Sequence, residues 1–165
     1  NYSKAPYLLA FNYIIIKFVK SNKKEILGRI LAIDYGSKRV GLAVTDPLKL
    51  IANNIGTVHS KDIIQYLKDY ISNEDVECFV VGEPKKMNNE PSDSMYLINS
   101  FLSLLNKHFP EIPVKLFDER FTSKLAVQAM INGGMKKKDR QNKKNIDAVS
   151  ATILLQDYLV YINTR

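Results

Sequence analysis

Residues 30–46, ILAIDYGSKRVGLAVTD, constrain the fold of this chain more than any other stretch. Two apolar, β-branched runs, 29–35 and 39–45, are joined by the short turn GSKR, with Gly36 supplying the backbone freedom the turn needs. The spacing predicts an antiparallel hairpin whose strands are too apolar to face water. The first run ends in Asp34. A carboxylate at the end of a buried strand, beside a basic turn, calls for a positive partner such as a metal ion, a proton or the counter-cation of a phosphate.

The pattern continues readably from there. A third strand is expected over 51–58, after the Asp46-Pro47 breaker. A helix over 61–72 follows, with Ser60 as its cap and Ile63, Ile64, Leu67 and Ile71 on one face. Residues 76–82, VECFVVG, read as a buried strand, and a polar loop leads to a helix that starts at Ser92 or Asp93 and runs to about His108. Its core stripe is expected to be Leu97, Phe101, Leu104 and Leu105. A fifth strand over 113–117 runs into Asp118-Glu119-Arg120. Helices over 122–132 and 146–161 complete the chain, the first ending at Asn132-Gly133-Gly134 and the last capped by Asn145. Val149, Ile153, Leu154 and Tyr158 form the apolar face of the last helix. Strands joined by tight turns pair antiparallel, whereas strands separated by helices join by crossovers and run parallel. The expected fold class is therefore α/β: one five-stranded mixed sheet, a three-stranded antiparallel meander plus parallel strands, flanked by helices.

At 165 residues the chain holds one ordinary core. Residues 7–19 are apolar but shorter than the roughly 20 residues a spanning helix needs, and they lack the cleavage pattern of a signal peptide. Since the ordered pattern starts at Gly28, residues 1–27 are expected to lie outside the functional domain, which spans 28–165. No membrane association is expected. The lone cysteine, Cys78, sits inside an apolar strand, so it reads as a buried structural thiol in a reducing, cytoplasmic compartment. Net charge is +7, concentrated in residues 1–29 and in KKKDRQNKK at 136–144, which leaves the rest of the chain mildly acidic. That asymmetry points to a focused site for a polyanion, a basic loop whose Lys136, Lys137, Lys138, Arg140, Lys143 and Lys144 grip phosphates.

Parallel strands deliver their C-terminal ends to one edge of an open sheet, where ligands bind. Asp34, Glu83, Asp118 and Glu119 all stand at or just past such ends, and Asp147 opens the last helix in IDAVSATILL. Clustered carboxylates repel one another unless a cation neutralises them. Hard oxygen donors select Mg²⁺ or Mn²⁺, and the two histidines, His59 and His108, have no zinc-ligand spacing. An acidic metal site made by Asp34, Asp118 and Asp147, next to a basic segment, suits phosphodiester hydrolysis.

These motifs carry a family resemblance. Asp34-Tyr35-Gly36 with Lys38-Arg39-Val40-Gly41-Leu42-Ala43-Val44, then Asp46-Pro47, Val81-Gly82-x-Pro84, Asp118-Glu119-Arg120 and Asp147-Ala148-x-x-Ala151, resembles the YqgF family of bacterial ribonuclease-H-like proteins. Its members are described as Holliday junction resolvases and as pre-16S rRNA nucleases. The resemblance covers roughly 28–160 in order. It implies a ribonuclease-H-like fold and a divalent-metal nuclease with Asp34, Asp118 and Asp147 as catalytic and metal-binding residues. It matches Lys38 and Arg39 to a basic turn that contacts phosphate and adds Arg120 to the nucleic-acid-binding set; the roles of Glu119 and Arg120 are less defined. Glu83 stands where an apolar residue is expected, either as an added ligand or as a solvated side chain in a surface loop. The implied partner is nucleic acid, with RNA (pre-16S rRNA processed at its 5′ end during ribosome biogenesis) favoured over branched DNA. The protein would act as a monomer or homodimer. A junction resolvase and a nucleic-acid-binding module without turnover are the alternatives. The DxGxxxxG pattern also resembles the phosphate loop of actin-like and sugar-kinase ATPases, but those close two such domains around nucleotide and this chain supplies one.

Overall fold

A computed structural model describes residues 28–84, 95–118 and 122–164. The N-terminal segment 1–27, most of the polar loop after the fourth strand, and Glu119 and Arg120 lie outside the described residues. Strands β1 (Arg29–Tyr35), β2 (Arg39–Thr45) and β3 (Ala52–His59) form the meander. Helix α1 (Ile63–Asn73) leads to β4 (Val76–Glu83), and α2 (Met95–His108) precedes β5 (Val114–Asp118). Helices α3 (Thr122–Asn132), α4 (Lys137–Arg140) and α5 (Lys143–Asn163) follow. The sheet order is β3-β2-β1-β4-β5. β1 runs antiparallel to β2 and parallel to β4, and β5 runs parallel to β4, which is the mixed sheet expected.

Alternation along the strands divides the core in two. Leu31, Ile33, Val40, Leu42, Phe79 and Val81 face α1 and α2, where Ile63, Leu67, Ile98, Phe101 and Leu105 complete the larger cluster. Ile30, Ala32, Ala43, Cys78 and Val80 face α5 and meet Ala151, Leu154, Leu155 and Leu159. Burial pushes the Cys78 thiol up to about 11, so it is a core residue and not a nucleophile. Helix α3 packs on α5 through buried Ala126 and Met130, and ends where Gly134 adopts a positive φ and Met135 N donates to Met130 O.

Four local expectations are corrected. Ser60 does not cap α1; Asp62 precedes the helix, and Ser60 Oγ donates to Ser37 O (2.8 Å) while its N donates to Lys38 O (3.2 Å). The third strand's end therefore ties down the β1–β2 turn. The stripe of α2 is Ile98, Phe101 and Leu105, with Leu104 exposed, a rotation of about one position. Glu83 is not in a loop but closes β4, half-buried and in register with Asp118. The last helix starts at Lys143 rather than past Asn145, because Asn142 O accepts hydrogen bonds from Asn145 N and Ile146 N. The basic stretch is thus the short helix α4 plus the first residues of α5, not a loop.

Candidate active site

The α5-facing side of the sheet builds the site. Asp34 continues the Ile30, Ala32 alternation on β1 and lies opposite Gly41 of β2 in the antiparallel register. On β2, Arg39, Gly41 and Ala43 share that face. Helix α5 crosses it so closely that a Cβ on Gly41 would collide with the carbonyl oxygen of Asp147. Small Ala148 and Ala151, both buried, allow the same approach along the helix. This contact brings Asp147, in the second turn of α5, beside the end of β1.

Asp34 and Asp147 consequently line one cleft of about 400 Å³, together with Gly36, Ser37, Lys38, Arg39 and Lys143. Arg39 Nε donates to Asp147 Oδ2 at 2.8 Å, and the two side chains are 31% and 29% exposed. Two carboxylates thus meet three cationic side chains that come from the β1–β2 turn, β2 and the start of α5. The donor chemistry fits a hard divalent cation: the cleft offers carboxylate oxygens and neither histidine nor cysteine. Mg²⁺ is commonly held by one or two carboxylates together with substrate phosphates and water, and the cleft offers two, Asp34 and Asp147.

Asp118 is placed differently. On β5, Val114 packs with the α1–α2 side of the core and Phe117 with the α5 side. Asp118 closes β5 and lies two strands from β1, roughly 10 Å away at ordinary strand spacing. It lines a second cleft, of about 420 Å³, with Glu83, Lys115, Leu116, Phe117, Tyr158 and Tyr161. Among the described residues, no group of three His, Cys, Asp or Glu is arranged to hold one metal ion. The structure therefore brings together two of the three expected acids.

The expected basic residues also separate. Lys38 and Lys143 line the cleft. Lys136, Lys137 and Lys138 are exposed around α4, whereas the half-buried Arg140 spends its Nε on Met135 O at 3.0 Å. Lys144 belongs to α5 by its backbone. Tyr35, near the site in sequence, faces away and stacks on Phe101 with ring centroids 4.0 Å apart. Sequence reasoning missed two features that shape the site. One is Gly41, the other is the partnership of Arg39 with Asp147. Alternation along β2 puts Arg39, Gly41 and Ala43 on one face, but nothing in the sequence names α5 as the element that crosses it.

A family profile described as "RuvX: Holliday junction resolvase" matches residues 28–161. The chain belongs to the RuvX family. Among its relatives, a Parabacteroides distasonis protein is 55% identical over 133 residues, 81% of this chain and 95% of that protein. One from Christiangramia forsetii is 54% identical over 133 residues, 81% of this chain and 98% of that protein. Both carry the name "Putative pre-16S rRNA nuclease". Among solved structures, Thermus thermophilus RuvC in complex with a Holliday junction substrate superposes with a TM-score of 0.51 at 19% identity. The match covers 83% of this chain and 97% of that one. At that identity the likeness speaks to the fold alone, and the fold is ribonuclease-H-like, as the RuvX membership leads one to expect.

Proposed function

We propose that this RuvX-family protein is a cytoplasmic, divalent-metal-dependent endonuclease that hydrolyses phosphodiester bonds in RNA, with the 5′ end of pre-16S rRNA as its substrate. The observation that carries this reading is the single cleft where Asp34 and Asp147, 113 positions apart in the chain, face Lys38, Arg39 and Lys143. The names of the relatives support the choice of RNA.

Asp34 and Asp147 are the residues that hold Mg²⁺ or Mn²⁺. When bound, such a cation supplies an activated water and stabilises the charge that develops on the leaving oxygen. Lys38, Arg39 and Lys143 bind the phosphates flanking the scissile bond. Lys136, Lys137, Lys138, Arg140 and Lys144 extend that basic surface, and Arg120 is assigned to it from sequence. Asp118 completes the acidic set in this reading, and Glu119, its neighbour in the Asp118-Glu119-Arg120 motif, is the comparison its test requires.

Cleavage of matched precursor-rRNA and four-way DNA substrates with Mg²⁺ and Mn²⁺ tests the proposal. Asp34→Asn and Asp147→Asn are expected to lose more activity than the roughly 10–100-fold typical for loss of an outer-shell partner. Retention of the wild-type rate by both would end the assignment. Running Asp118→Asn beside Glu119→Gln then identifies the third acid by which variant loses cleavage. The description of the family profile favours a second reading, a junction resolvase on branched DNA. That enzyme acts as a symmetric dimer with one site per strand, so a monomer that cleaves only RNA would exclude it. Binding without cleavage of any substrate, unaffected by chelator, would instead indicate a nucleic-acid-binding module.

A further inference from the structure

The structure ties one proposed metal ligand to one proposed phosphate ligand, and the tie has a thermodynamic consequence. Arg39 Nε donates to Asp147 Oδ2 at 2.8 Å across 108 residues of sequence. Two positions along β2, Gly41 packs against the backbone of Asp147, so the helix is held close to the strand beside this pair. Less than a third of either side chain is exposed, so solvent screens the pair only partly.

We propose that Arg39 is an exchange residue that makes binding of the divalent cation and of nucleic acid cooperative. Bound to Asp147, its guanidinium satisfies the carboxylate that the cation needs and repels the cation by Coulomb interaction. A phosphate is the competitor that fits a guanidinium best, because it accepts two parallel N–H bonds. A substrate phosphate in the cleft therefore draws Arg39 off Asp147 and leaves both carboxylate oxygens to the cation. By linkage, the cation strengthens phosphate binding by the same factor. Lys38 and Lys143 line the cleft without a carboxylate bond of this kind at Asp147, so they contribute attraction but no exchange.

This inference rests on the nuclease reading, and a binding experiment without turnover separates the two. Mn²⁺ affinity of the full chain is measured by electron paramagnetic resonance with and without a short 2′-O-methyl RNA, which resists hydrolysis. In the wild type the RNA is expected to tighten Mn²⁺ binding on the order of tenfold, within the usual range of coupling between sites. Arg39→Gln keeps a hydrogen-bond donor but loses the charge. It is expected to bind Mn²⁺ more tightly than wild type without RNA, and to lose most of the RNA-induced gain. Arg39→Lys keeps the charge but not the bidentate fork, so it is expected to bind Mn²⁺ without RNA as the wild type does and to show a smaller RNA-induced gain. An Arg39→Gln protein with wild-type Mn²⁺ affinity and wild-type coupling would overturn the exchange while leaving the nuclease proposal intact. A wild-type protein that binds no Mn²⁺ at all would remove both.

Discussion

At the scale of single residues, the site depends on an atom that is missing. Asp34 and Asp147 reach one cleft because Gly41, which lies opposite Asp34 in the β1–β2 register, has no Cβ to hold α5 away. Adding one places carbon against a backbone carbonyl, which cannot rotate aside as a flexible side chain can. Gly41→Ala is expected to cost at least ~1–3 kcal/mol, the range for overpacking a core. It should also lower Mn²⁺ affinity by shifting Asp147 away from Asp34. Urea unfolding and Mn²⁺ titration of the same preparation check this, and unchanged values for both would refute the packing argument. Asp46 illustrates a carboxylate with a different task. It accepts hydrogen bonds from Leu48 N, Leu50 N and Ile51 N, which hold its carboxyl below the usual range, and so it orders the β2–β3 turn.

At the scale of elements, the basic stretch behaves as two pieces. Helix α4 displays Lys136, Lys137 and Lys138 to solvent at and just before its first residues, whereas α5 carries Lys143 into the cleft. The exposed lysines are suited to distant phosphates and Lys143 to a near one. Replacing Lys136, Lys137 and Lys138 together by Gln is expected to weaken RNA binding with little effect on the Mn²⁺ affinity of the free protein. The slope of log affinity against log salt should become shallower by about two, given ~0.7 per phosphate contact on a single strand. Binding titrations over a salt series measure that slope, and an unchanged slope would show that these lysines face no phosphate. The clamp of Ser60 on the backbone of Ser37 and Lys38 makes β3 part of the site as well, since it fixes the turn that presents Lys38 and Arg39.

At the scale of the molecule, a sheet covered on both faces carries its chemistry on one of them. Helices α1 and α2 fill the larger cluster, and α5 fills the smaller one while delivering Asp147. No helix among the described residues is long and apolar enough to cross a membrane. The family match begins at residue 28, and the relatives cover 79–81% of this chain and nearly all of their own length. Removal of residues 1–27 is accordingly expected to leave the melting temperature and the cleavage rate unchanged. Calorimetry and the rRNA cleavage assay on the two proteins test this, and a marked drop in melting temperature would assign those residues to the folded unit.

Much of this protein is legible in its sequence because local rules govern it. Apolar runs with β-branching mark β1, β2 and β4, and turn length alone separates the antiparallel meander from the parallel crossovers. Five ordered motifs identify the family over the same span that the profile matches. Helix ends and side-chain directions were harder to read. Ser60 and Asn145 look like caps in sequence, yet neighbouring backbone groups set where α1 and α5 begin. Of the acids expected to converge, Asp34 and Asp147 share one cleft while Glu83 and Asp118 line another. Which cleft an acid enters depends on how the strands and α5 pack, and that is known only once they are in register. The pairing of Arg39 with Asp147 and the need for Gly41 arise where β2 and α5 cross. Contacts between elements remote in sequence leave no periodic trace in either one, so only the tertiary structure could decide them.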